Sequence, residues 1–273
     1  MLLLKKGILI VGFGTIYKDA RACTIDKIKE EVCKQFPDYE VLQAFTSSKI
    51  IEKIKETEGI DFDTPQKALH KFKNKAYREV IIQPIYMIPG YEYEKLIGTV
   101  DKYLKDFERL KIGRPVLYFK GNNKNEPNDY EIFLEKIKDM IPKDKITVFM
   151  CHGTMHESNE YYLKLDSFIK KHGFTSVVIA TLEGFPKVED VIEYMEKNKF
   201  KEKYKGEVKI IPLLVTAGKH VKKDMQEEWV NIFKDKGYKV ETYEHGLGEI
   251  YDFRSIYIQH IKDAIIRENY TAL

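Results

Sequence analysis

Two stretches decide the fold: Gly7 to Thr15 (GILIVGFGT) and Ile146 to Thr154 (ITVFMCHGT). Each is an apolar run rich in β-branched residues that ends in a Gly-Thr turn, the pattern of a buried strand feeding a helix. Working outward from them, Ala44 to Ile54 (AFTSSKIIEKI) lines up with Ala180 to Ile192 (ATLEGFPKVEDVI). Pro84 and Gly90 recur at the spacing of Pro212 and Gly218. The chain therefore reads as a duplicated α/β unit. Further runs at Glu40 to Phe45, Glu79 to Ile85, Val116 to Phe119, Ser176 to Ala180, Val208 to Leu214 and Tyr238 to Tyr243 alternate with amphipathic stretches, which predicts mainly parallel sheets.

Local signals place the helices. Ala22, Ile25, Ile28, Val32 and Phe36 recur at steps of three and four until Pro37 stops the pattern, so a crossover helix is expected there. Asp63, Thr64 and Pro65 mark a helix start, and Gly173 closes a stripe made by Tyr161, Leu165, Phe168 and Ile169. Gly121 to Asp129 (GNNKNEPND) is polar and rich in turn formers, and is the expected linker between an N-terminal domain, 1–124, and a C-terminal domain, 125–273, whose last helix is free to pack on the first.

Composition narrows the partners. Lys and Arg total 46 against 43 Asp and Glu, a formal charge of +3 that argues against a dedicated nucleic-acid binder or a polybasic membrane anchor. No stretch approaches the ~20 apolar residues of a membrane span and no signal-peptide order is visible at the start, so a cytoplasmic protein acting on a small molecule is expected. Cys23, Cys33 and Cys151 lack a CxxC spacing and read as free thiols. Gly12 and Gly14 lack the third glycine of a dinucleotide fingerprint, where Tyr17 stands, and there is no GK[ST], which weighs against a nucleotide cofactor.

In open parallel sheets ligands bind beyond the carboxyl ends of the strands. His152, Glu183 and His220 each follow such an end in the second half and are expected to converge there as metal ligands. Their counterparts in the first half are Phe13, Ser47 and Glu92, so a single site with two imidazoles belongs to the second half. Two imidazoles and a carboxylate suit Co2+, Fe2+, Ni2+ or Zn2+ without choosing among them. A neutral imidazole, with a reference pKa near ~6.5, also accepts a proton at physiological pH.

The sequence resembles the anaerobic sirohydrochlorin cobaltochelatases, ATP-independent relatives of ferrochelatase. The likeness runs along almost the whole chain through GFGT (Gly12 to Thr15), AFTS (Ala44 to Ser47), GIDFDTPQKAL (Gly59 to Leu69), EYEK (Glu92 to Lys95), HGT (His152 to Thr154), EGFPKVED (Glu183 to Asp190), PLLVTAGKH (Pro212 to His220) and GLGE (Gly246 to Glu249). The resemblance implies two similar Rossmann-like domains with a substrate cleft between them. It implies a lyase inserting Co2+ into sirohydrochlorin for cobalamin biosynthesis, with His152 and Glu183 catalytic and His152, Glu183 and His220 on the metal. Insertion of Fe2+ or Ni2+ by the same fold, or a non-catalytic carrier of metal or tetrapyrrole, are the competing readings; a homo-oligomer is compatible with all. Two departures stand out: Gly12 where relatives commonly have Ser, and Cys151 where they have Gly before the His.

A flat macrocycle fringed with carboxylates calls for apolar walls and a basic rim. Phe13, Gly14, Thr15, Tyr86, Met87, Gly90 and Tyr93 are the candidate tetrapyrrole contacts, with Lys18, Arg21, Lys219, Lys222 and Lys223 for the carboxylates.

Overall fold

In the computed structural model, which describes residues 5–121 and 126–266, the apolar runs form strands β1 (Lys6–Gly12), β2 (Tyr39–Phe45), β3 (Glu79–Pro84) and β4 (Arg109–Ile112), then β5 (Ile146–Cys151), β6 (Val177–Thr181), β7 (Glu207–Pro212) and β8 (Lys239–Thr242). They build two parallel four-stranded sheets of identical order, β2-β1-β3-β4 and β6-β5-β7-β8. The register repeats as well. Val11 pairs with Ala44 and Pro84, and Met150 pairs with Ala180 and Pro212. The duplication seen in the sequence is thus preserved residue by residue at the carboxyl edge of both sheets.

β1, β3, β5 and β6 are near-continuously buried, as parallel strands covered on both faces require, whereas the edge strands β2 and β8 are largely half-buried or exposed. The crossover after β1 is two helices, Lys18–Cys23 and Ile25–Gln35, broken at the fully buried Thr24, whose hydroxyl donates to the Ala20 carbonyl at 2.5 Å. Pro65 opens helix Pro65–Asn74 at its first turn, and the Thr64 hydroxyl accepts from Lys67 N–H. Gly173, at φ +93°, lies beyond the end of helix Glu160–Lys171.

One expected strand moves. Val116 to Phe119 is not a strand; β4 is Arg109–Ile112, and Gly113 and Pro115 end it. Gly113 passes so close to Gln83 that a Cβ would stand 2.4 Å from Oε1, and Pro115 has no N–H to offer a ladder. Val116 and Leu117 are nonetheless buried, their N–H groups donating to Tyr86 and Met87 carbonyls beyond β3.

The expected domain border at 124/125 lies outside the described residues. Asn128 caps helix Asp129–Ile137 through its side-chain oxygen, so the polar stretch ends by starting a helix. The C-terminal helix Tyr251–Ile266 packs on β3, β4 and helices Ile25–Gln35 and Asp129–Ile137. One continuous core consequently links Ile8, Ile10 and Ile81 of the first sheet to Phe149 and Ile179 of the second through Phe133, Phe253 and Tyr257.

Candidate metal and tetrapyrrole site

The site begins where β5 ends. His152 leaves the strand with its side chain 43% exposed. The chain then turns sharply at Gly153, φ +71°, where a Cβ would meet Thr181 at 2.5 Å. That close approach zips the β5 and β6 loops together: Leu182 N–H donates to the Cys151 carbonyl and Glu183 N–H to the His152 carbonyl at 2.8 Å. Glu183 is delivered beside His152 by backbone hydrogen bonds, and its Oε2 lies 3.8 Å from His152 Nδ1.

His220 arrives from β7. Its loop is held from behind by the Gly246 to Glu249 segment, where Leu247 and Gly248 N–H groups donate to the Leu214 and Val215 carbonyls. Gly246 has to be glycine for this approach, since a Cβ would stand 2.5 Å from the Val215 oxygen. The loop sets the His220 ring edge-on to His152, with centroids 4.9 Å apart and planes at 89°. The structure therefore brings the three expected ligands together. Among the described residues, no group of three or more His, Cys, Asp or Glu side chains is closed up around an ion position, so the trio is a set of neighbours, not a finished cage.

Both imidazoles are anchored through Nδ1. His152 Nδ1 is 3.0 Å from the Gly153 carbonyl, and His220 Nδ1 is 2.5 Å from Asp224 Oδ2. Carbonyls and carboxylates only accept, so each Nδ1 carries a proton and, in the neutral ring, the lone pair is on Nε2. A ligand or base atom is left available on both rings.

The first half faces this edge across two contacts. The loop after β1 meets the loop and first helical turn after β7: Lys222 Nζ lies 4.9 Å from the Tyr17 ring centroid, and Gly218 approaches Thr15. The loop and first helical turn after β3 meet the loop after β5: His156 Nε2 lies 3.1 Å from Glu94 Oε1, in helix Tyr91–Val100, and Gly90 approaches Ser158. Because β1 corresponds to β5 and β3 to β7, the two contacts exchange under the internal duplication. A pseudo-twofold axis runs between the halves, and the candidate ligands line one side of that axis.

The expected tetrapyrrole contacts divide. Phe13 is exposed beside Gly14 (φ +97°), and Gly90 lies at the contact with Ser158, so these remain at the carboxyl edge of the first sheet. Thr15 is buried, its hydroxyl accepting from Tyr17 N–H, and shapes the loop instead of offering a surface. Met87 and Tyr93 are core residues, and Tyr93 donates its hydroxyl to the Gly113 carbonyl at 3.0 Å. Tyr86 keeps only part of its surface, with its hydroxyl buried and its pKa pushed up by that burial. Tyr93 nonetheless borders a groove of about 370 Å3 between the halves, with Glu94, His156 and Ser158. Arg21 is likewise withdrawn, buried and paired through both terminal nitrogens with Glu58, whereas Lys18, Lys219, Lys222 and Lys223 remain exposed.

Exposed apolar side chains that the sequence pattern did not single out supply alternatives: Met155, 88% exposed, in the turn after His152, and Phe185, 60% exposed, in the turn after Glu183. Their signal was position, three and two residues beyond His152 and Glu183. His156 and Asp224 were missed for want of a visible partner. Cys151 is fully buried in the core, with its thiol pKa pushed well up by burial, which removes it as a soft ligand. A separate groove of about 630 Å3, lined from helices Ile25–Gln35, Asp129–Ile137 and Tyr251–Ile266, includes none of the candidate ligands.

A family model described as cobalt chelatase (CbiK) matches residues 6–266. The chain belongs to this cobalt chelatase family. The chelatase is 32% identical over 269 residues to the sirohydrochlorin cobaltochelatase of Salmonella typhimurium, covering 96% of this chain and 97% of that one. It is 27% identical to the sirohydrochlorin cobaltochelatase CbiKC of Nitratidesulfovibrio vulgaris, covering 96% and 91%. Among solved structures, SirB from Bacillus subtilis with Fe3+ superposes with a TM-score of 0.67 at 12% identity, over 97% of the chelatase and 98% of SirB. At that identity the likeness speaks for the fold, two Rossmann-like units in one chain.

Proposed function

We propose that this chelatase inserts Co2+ into sirohydrochlorin, with His152, Glu183 and His220 receiving the ion and His152 accepting a pyrrolic proton. The observation that carries the reading is the edge-on pair of imidazoles, 4.9 Å apart at the carboxyl edge of the second sheet, with Glu183 beside His152. Cobalt as the metal draws support from the family description and from the activity named for both relatives.

Insertion exchanges one divalent ion for two ring protons, so the site has to release the ion and take up protons in the same place. A neutral imidazole whose Nε2 is free does either. Glu183, exposed and with its carboxylate 3.8 Å from His152 Nδ1, is placed to meet the ion or take the second proton. Phe13, Met155 and Phe185 offer exposed apolar surface for the macrocycle, and the lysines at 18, 219, 222 and 223 suit its carboxylates. The test is an absorbance assay with sirohydrochlorin and Co2+, Fe2+ or Ni2+ in turn. Faster spectral conversion with Co2+ supports the proposal; tetrapyrrole binding without conversion by any ion rejects it in favour of a carrier.

A further inference from the structure

His220 stands immediately before a nine-residue π-helix, Val221–Trp229, which returns to α-helical form at Val230–Asp235. π-helical turns are rare and recur at functional sites. On this helix Asp224 turns its carboxylate back to His220, Oδ2 to Nδ1 at 2.5 Å, with both side chains partly shielded. Lys222 and Lys223 sit close by in sequence, yet among the described residues the ion pair of Asp224 is with His220. A carboxylate cannot donate, so this contact fixes a proton on Nδ1 and, in the neutral ring, leaves the lone pair on Nε2. His152 is fixed in the same tautomer by a backbone carbonyl, which offers no net charge.

We propose that Asp224 is a positioning residue for the metal step: it sets the tautomer and ring direction of His220 and adds negative charge behind the imidazole, strengthening its hold on a divalent cation. Partners of this kind, one bond removed from the ion, orient ligating histidines and raise their basicity; losing one typically costs about 10- to 100-fold in affinity or activity. The inference rests on the proposed metal role of His220. It predicts an effect on the metal and not on the tetrapyrrole.

The experiment uses the full chain and varies Co2+ and sirohydrochlorin independently in steady-state insertion. Asp224→Ala is expected to raise the KM for Co2+ by roughly 10- to 100-fold and to leave the KM for sirohydrochlorin within about twofold. Asp224→Asn, whose amide oxygen still accepts from Nδ1, is expected to recover much of that loss. Visible absorption of Co2+ titrated into protein without tetrapyrrole should weaken in the same order, independent of turnover. If His220→Ala abolishes Co2+ use while Asp224→Ala leaves the Co2+ KM and spectrum unchanged, the positioning role is overturned and the metal site stands. If His220→Ala itself has no effect, the metal reading fails and Asp224 with it. Should Asp224→Ala fold poorly, Asp224→Asn against Asp224→Leu at equal melting temperature decides the matter: equal losses in both reject the hydrogen bond.

Discussion

Glu94 and His156 join the two halves of the fold directly, Oε1 to Nε2 at 3.1 Å, with the Tyr91 ring edge-on to the imidazole at 4.4 Å. Ser158 N–H donates to His156 Nδ1, so the proton bonded to Glu94 is on Nε2, the opposite tautomer to His152 and His220. The same short loop thus carries a clasp at His156 and the proposed base at His152.

That clasp bears on cleft opening more than on folding. Glu94 is largely exposed, and pairs of that kind contribute about 0.2–1 kcal/mol. Glu94→Ala should shift thermal unfolding by no more than this, while changing the KM for sirohydrochlorin several-fold as the halves separate more easily. A large loss of stability with an unchanged KM would assign the pair to the core instead.

His152 and His220 are expected to separate by role. His152→Ala should cost about 10²-fold or more in insertion, the range for a lost general base, with tetrapyrrole binding within a few-fold of normal. Fluorescence quenching reports the binding and single-turnover absorbance the chemistry. Normal insertion by this variant would remove the base assignment.

Stability at low pH should follow a buried charge cluster that ties the C-terminal helix to the first half. Arg114 pairs with Asp129 at 3.0 Å and with Asp263 at 2.9 Å, while His260 Nδ1 donates to the Arg114 carbonyl and its Nε2 lies 3.5 Å from Asp129. Burial, joined by the Arg114 charge, holds the His260 pKa below its ordinary 6.5 against the pull of Asp129. Burial opposes ionisation of Asp129, but the His260 and Arg114 side chains outweigh it and keep that carboxyl below the usual range. Both folded pKa values are depressed, so the unfolded chain binds more protons and stability falls on acidification. The His260 contribution is complete above about pH 6.5 and is lost as pH falls through its folded value; that of Asp129 goes below about pH 4. Melting temperatures measured between pH 7.5 and 4 should fall, and His260→Gln should flatten the upper part of that curve. Arg114→Met, which strands two carboxylates, should cost about 3–5 kcal/mol in denaturant unfolding.

Thiol chemistry should distinguish the cysteines. Cys23 and Cys33 are exposed and Cys151 is buried with a raised pKa. A disulfide reagent added to native protein should label two thiols, with the third reacting only after denaturation. Rapid labelling of all three would place Cys151 on the cleft.

How far the sequence was legible depends on the range of the interaction. Pro84 and Gly90 against Pro212 and Gly218 announced equivalent strand ends because period and spacing are local properties, and the identical registers follow from them. Position beyond a strand end likewise pointed to His152, Glu183 and His220, since parallel topology sends every such end to one edge. Val116 to Phe119 misled because β-branched and aromatic composition measures burial as much as strand pairing.

The chain by itself determined a duplicated parallel α/β fold and the residue types offered at its carboxyl edges, because both are written in short-range pattern. Only the tertiary structure decided which side chains face the cleft. Arg21 is withdrawn by Glu58, distant in sequence, and Tyr93 by Gly113, while Glu94 meets His156 across the halves. Which neighbour claims a polar atom is settled by packing between segments that sequence spacing does not relate.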